Sequence, residues 1–149
     1  MSSPPRGLAI DISSTVRRLN VSRARVKEAA SVALKSERVS NAMLSITFVG
    51  RATMTELNRR YLRQRGPTDV ISFGLGRQGR ADAVVGDIYI CPEIASANAK
   101  RQGIAVGEEV LRLVVHGTLH VLGYDHPESA ARIKSRMWQK QERILARVL

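Results

Sequence analysis

The sequence has one cysteine, one tryptophan, three histidines and only 4% aromatic residues among its 149 positions. Each scarcity excludes something. A lone Cys91 cannot form an internal disulfide, and with no C-x-x-C beside it a cysteine-rich zinc module is excluded too. No segment approaches the ~20 apolar residues of a membrane span, and the start M-S-S-P-P-R-G-L-A-I-D-I has no apolar stretch behind a basic one. The expectation is a cytoplasmic protein with no membrane partner. Tandem repeats and linker-like stretches are also missing, which points to a single domain over 1–149 that can bury a core without staples. Acid is scarce as well, with 13 Asp plus Glu against 24 Lys plus Arg and a net charge of +11.

That imbalance favours a polyanionic partner, because arginine, which greatly outnumbers lysine here, matches phosphate oxygens with its planar fork. Two clusters stand out. Arg59, Arg60, Arg63 and Arg65 precede the turn at Gly66-Pro67, and Arg132, Arg136, Lys140, Arg143 and Arg147 keep one helical stripe beside Ile133, Met137, Ile144 and Val148. Arg59, Arg60, Arg65, Arg132 and Arg136 are the candidate nucleic-acid-binding residues. A merely solvated face has the same pattern, so the stripe leaves both readings open.

Periodicity places strands over Leu8–Ile12, Met43–Val49, Thr68–Phe73 and Val84–Cys91, and helices over Val21–Ser36, Thr53–Arg63, Pro92–Gln102, Glu108–Leu122 and Glu128–Val148. Met54, Leu57 and Tyr61 share one side of the second helix. The stretch G-L-G-R-Q-G-R-A-D-A reads as a flexible, exposed connection, and its glycines lack the GxxxxGK[ST] context of a phosphate loop. Strands crowd the first two thirds of the chain and helices the last, so one α+β domain is the simplest assembly.

All three histidines, His116, His120 and His126, fall within eleven residues. Three unrelated histidines would not need such spacing. His116 and His120 are four apart on a predicted helix, so both rings leave the same face, and Gly123 stands where a left-handed cap would let the chain return His126 to the same point. Three neutral imidazoles suit zinc and leave a fourth tetrahedral position open. Asp125, beside His126, is placed either to ligate or to orient a ring N–H. The offsets match the metzincin pattern H-E-x-x-H-x-x-G-x-x-H, but Gly117 replaces the glutamate that serves those proteases as general base. A zinc metalloprotease-like hydrolase therefore lacks its proton shuttle.

The run His116-Gly117-Thr118-Leu119-His120-Val121-Leu122-Gly123-Tyr124-Asp125-His126 resembles the signature of the YbeY family, bacterial metal-dependent endoribonucleases of ribosomal RNA maturation. Pro67-Thr68-Asp69-Val70-Ile71-Ser72-Phe73 and Gly86-Asp87-Ile88-Tyr89-Ile90 are similar to two further stretches of that family. The resemblance implies an α+β fold with a small mixed sheet flanked by helices, a zinc held by His116, His120 and His126, and a zinc-dependent, single-strand-specific endoribonuclease. Its roles would be ribosomal RNA maturation and ribosome quality control, with ribosomal RNA and a ribosomal subunit or assembly proteins as partners.

The chain departs from the family pattern where Leu62 follows Tyr61 in place of the family's arginine, where Arg65 replaces an acidic residue, and where Gly74 replaces a proline. Arg63 is the nearest substitute for that arginine and the candidate catalytic, phosphate-binding residue. A third reading is a non-catalytic ribosome-assembly factor that binds RNA and keeps a structural zinc.

Overall fold

Strand side chains alternate between two faces, and Ala42–Phe48 (β2) uses this to bury Ala42, Leu44, Ile46 and Phe48 while Met43 stays 41% exposed. It pairs in parallel with Leu8–Ser14 (β1) on one side and Ala83–Ile90 (β4) on the other; Val70–Gln78 (β3) then pairs antiparallel with β4. The order of this mixed sheet is β1-β2-β4-β3. The computed structural model describes residues 7–79, 82–124 and 135–149. Within them helices cover Arg23–Ser36 (α1), Arg51–Leu57 (α2), Pro92–Gln102 (α3), Val106–Val121 (α4) and Arg136–Val148 (α5). This is the α+β architecture expected from the sequence. None of the described helices is long and apolar enough to cross a membrane.

Strand register sets the seat of α4. Ile12, Ile46 and Ile88 form one row across the sheet, and Ile10, Leu44, Gly86 and Gly74 form the next. A Cβ at Gly117 would lie 2.8 Å from Ile88 Cγ2, and one at Gly86 would lie 2.4 Å from Val121 Cγ1. At Gly74 the clash would be with the Val121 backbone oxygen, at 2.9 Å. Helix and sheet thus approach where side chains are missing. Residues 117 and 121 face the sheet, so 116 and 120, about 100° round the helix axis, face sideways toward β3.

Three expectations change. The glycine-rich connection is not a loop: β3 continues to Gln78 and forms a hairpin arm, with Arg77 and Gln78 opposite Val84 and Ala83. A register shift between Gly74 and Arg77 accommodates Gly76 at φ +76°, so the glycines mark a bulge inside a strand. The second helix begins at Arg51 and widens after Leu57 into a π-helical turn, Asn58–Leu62. Met54 is buried there, but Tyr61 is 54% exposed, its ring edge-to-face with Phe73 at 5.3 Å between centroids. The last helix starts at Arg136, since Ser135 is extended (ψ 152°) and caps it by accepting from the Trp138 N–H.

Lys140 does not belong to a free cationic stripe. Its ammonium donates to Glu37 at 2.9 Å and sits 5.2 Å from the Tyr124 ring centroid, while the Tyr124 hydroxyl donates to the same carboxylate. Glu37 thereby joins the ends of α1 and α4 to α5. Burial pushes its carboxyl up, but the bonds from Tyr124 and Lys140 together outweigh that and hold it below its ordinary value. A depressed folded pKa gives stability that is present above the unfolded value, ~4.3, and is lost as pH falls through the folded one. Glu37→Gln is expected to cost about 1 kcal/mol at neutral pH and to flatten the acid limb of a Tm-against-pH curve. Parallel acid limbs for the two proteins would show that Glu37 has no such role.

Candidate metal centre and its cleft

Helix α4 ends as Gly123 requires. Its φ is +98°, Tyr124 N–H donates to Leu119 O at 3.0 Å, and Gly123 N–H donates to His120 O at 2.9 Å. This pair of bonds is a Schellman cap, which stops the helix one turn after His120. The reversal expected from sequence is therefore present as far as Tyr124. His126, Asp125 and Arg132 lie outside the described residues.

His116 and His120 stand one turn apart with their Nε2 atoms 3.1 Å from each other and ring planes at 74°. The tautomer of His116 follows from its other nitrogen. Nδ1 lies 2.6 Å from Gln141 Oε1, an acceptor only, so Nδ1 carries the hydrogen and Nε2 keeps its lone pair. The Gln141 amide is oriented in turn by donating from its nitrogen to Glu142 at 3.0 Å. Two imidazoles bound tetrahedrally to zinc at 2.0–2.1 Å would have nitrogens about 3.3 Å apart, so the pair fits that ion with little adjustment. Gln141→Leu keeps the volume but leaves Nδ1 without its acceptor. It is expected to weaken metal binding 10–100-fold, read by competition with a chromogenic chelator. Unchanged affinity would mean that Gln141 only packs.

The histidines line a cleft of about 700 Å³ between the β3 edge, α3, α4 and α5. Leu62, Asp69, Ser72, Asn98, Arg101, Glu109, Arg112, Trp138 and Gln141 are among its walls. Asp69 knits the wall together: its carboxylate accepts the Val70 N–H at 2.8 Å and the Asn98 amide at 3.0 Å, and its carbonyl accepts the Cys91 N–H at 2.9 Å. Arg112 is only 15% exposed and pairs with Glu108, Glu109 and Glu142 at 3.1–3.2 Å. Burial disfavours its charge, but bonds from Glu142, Glu109 and Glu108 outweigh that and hold its pKa above the ordinary value. Glu109 is raised because burial outweighs the bonds from Arg112 and Asn98. Arg112 is a structural cation enclosed by carboxylates.

The described members of the expected arginine set are absent from that lining. Arg59 pairs with Glu56 at 2.6 Å, and Arg60, Arg63 and Arg65 are exposed on the π-turn and its exit. Arg63 caps that turn at φ 54°, its N–H donating to Asn58 O, while the buried Asn58 amide donates to Gly66 O at 2.9 Å. Neither these four arginines nor Arg136, exposed at the first residue of α5, lines the cleft. The π-turn contributes Leu62 to the wall instead. Cys91 is fully buried with Val49, Met54 and Ile71 in a second apolar cluster, and it is not among the residues lining the cleft.

Sequence reasoning passed over Gln141, Trp138, Asn98 and Arg101. One signal was available for Gln141. It interrupts the apolar series Met137, Ile144, Val148 on one face of α5, and a polar residue at 2% exposure needs a partner. Nothing local marks Arg101 or Asn98, which meet the histidines only through α3 packing on α4.

The model of the family described as endoribonuclease YbeY matches residues 11–149. A relative of that name from Beutenbergia cavernae is 46% identical over 58% of this chain, and the match spans 63% of that relative's length. Those from Kineococcus radiotolerans and Aquifex aeolicus are 39% and 33% identical over 80% of this chain, covering 73% and 79% of their own lengths. A protein of Thermotoga maritima solved in solution superposes with a TM-score of 0.59 at 26% identity, covering 93% of this chain and 88% of its own. Family match, sequence identity and fold agree: the chain belongs to the endoribonuclease YbeY family.

Proposed function

We propose that the protein is a zinc-dependent endoribonuclease that cuts single-stranded ribosomal RNA during maturation and ribosome quality control. It would act in the cytoplasm, with ribosomal subunits or assembly proteins as partners. The observation that carries this reading is the convergence of His116 Nε2 and His120 Nε2, 3.1 Å apart, on a cleft wide enough for a nucleotide, in a chain of this family.

His116 and His120, with His126, would hold the ion. When bound, it supplies Lewis acidity at a phosphate oxygen and offsets the charge that builds at phosphorus. Gln141 keeps the His116 ring turned so that its lone pair meets the ion. Trp138, which also lines the cleft, would offer an indole on which a base can stack. The attacking oxygen is a water or the ribose 2′-hydroxyl, and the products separate the two. A 2′,3′-cyclic phosphate means that the sugar attacked, and a 5′-phosphate with a free 3′-hydroxyl means water.

Chelating the metal is expected to stop cleavage of single-stranded RNA, and added zinc to restore it. Undiminished cleavage after complete metal removal would overturn the reading. A fall in Tm and RNA binding on chelation, with no cleavage at any metal concentration, would support the assembly factor with a structural zinc.

A further inference from the structure

The cleft beside the histidines holds two guanidinium groups among the described residues, those of Arg101 and Arg112, and they are not equivalent. Arg112 has its charge balanced by Glu108, Glu109 and Glu142, leaving it little capacity for another anion. Arg101, in the last turn of α3, is exposed and has no carboxylate partner among the described residues; its guanidinium donates to the side-chain oxygen of Asn98. That oxygen is aimed by the other half of the amide. The Asn98 nitrogen donates to Asp69 at 3.0 Å and to Glu109 at 3.4 Å, which turns the carbonyl toward Arg101. Both carboxylates are thus engaged with Asn98, and Arg101 is held through an uncharged oxygen, with no carboxylate among the described residues paired to its charge. At the π-turn the wall is apolar, because the side chain there is Leu62.

We infer that Arg101 is the phosphate-binding residue of this cleft, pre-oriented by Asn98 to hold an RNA phosphate beside the His116 and His120 pair. The inference rests on the proposed RNA substrate. Lys100 is the natural comparison. It is exposed, carries the same charge one residue away, and does not line the cleft. Long-range attraction should treat the two cations alike, whereas a direct phosphate contact should single out Arg101.

The test compares wild type, Arg101→Ala, Arg101→Lys and Lys100→Ala as full chains, measuring binding of a single-stranded RNA oligonucleotide across salt concentrations and cleavage of the same oligonucleotide. Arg101→Ala is expected to weaken binding about tenfold and to lower the slope of log K against log salt by about 0.7, the share of one phosphate contact. KM should rise, and Arg101→Lys should recover part of the loss because it keeps the charge but not the fork. Lys100→Ala should stay within about twofold of wild type, as a distant exposed charge does. Equal effects of Arg101→Ala and Lys100→Ala, or no effect of either, would overturn the inference. Wild type that binds RNA but never cuts it would sink the nuclease reading instead, while the binding comparison would still decide the role of Arg101.

Discussion

Replacing His120 with alanine is expected to leave the protein folded but to empty it of zinc and abolish RNA cleavage. The side chain is half-buried and opens on the cleft rather than the core, so truncation creates little enclosed cavity. Its Nε2, however, is one of two nitrogens that meet 3.1 Å apart, and losing it should cost more than the 10–100-fold in metal affinity assigned to an outer partner such as Gln141. An ion that contributes several kcal/mol of charge stabilisation implies a rate loss of roughly a thousandfold or more. Metal analysis of the purified variant beside a single-turnover cleavage assay and a melting curve reads all three quantities. Wild-type cleavage by a zinc-free, folded variant would remove the ion from the mechanism.

Glu is expected to fail at position 117, although Gly117→Glu would complete the H-E-x-x-H of a zinc protease on paper. Position 117 points away from the cleft, into the sheet, where even a Cβ would lie 2.8 Å from Ile88 Cγ2. Ile88 is fully buried, so the new side chain meets core and not solvent. Overpacking alone costs ~1–3 kcal/mol, and a carboxylate placed there with no partner adds several more. The sum rivals the ~5–15 kcal/mol stability of a typical domain. Gly117→Ala gives the smaller version. Its gain in helix propensity, about 1 kcal/mol, opposes the overpacking and leaves a net loss of up to ~2 kcal/mol. Urea denaturation measures both. A stable Gly117→Glu variant with zinc-dependent peptidase activity would contradict the packing argument and restore the protease reading.

The glycine has two meanings, one visible in the sequence and one not. Its identity alone excludes a general base at that step of the motif. That a base could not be restored there depends on Ile88, a residue of β4 that reaches Gly117 only through sheet register. The hairpin arm of β3 shows the same division. A local pattern of glycines with Arg77 and Gln78 has no apolar alternation and reads as loop, yet β4 supplies the ladder partners that extend the strand.

Features that depend on spacing along one element were legible from the residues alone: the helix that presents His116 and His120 together, the glycine that ends it, the α+β class and the basic character. A helix repeats every 3.6 residues wherever it sits, so a four-residue interval carries its geometry with it. Which cations border the histidines depended on long-range packing. It placed Arg101 at the cleft and enclosed Arg112 in carboxylates, while Arg59, Arg60, Arg63 and Arg65 lie outside the cleft lining. Their positions follow from how α3 and the π-turn pack against α4 and the sheet. Such packing joins residues far apart in the chain, and no interval between neighbours encodes it.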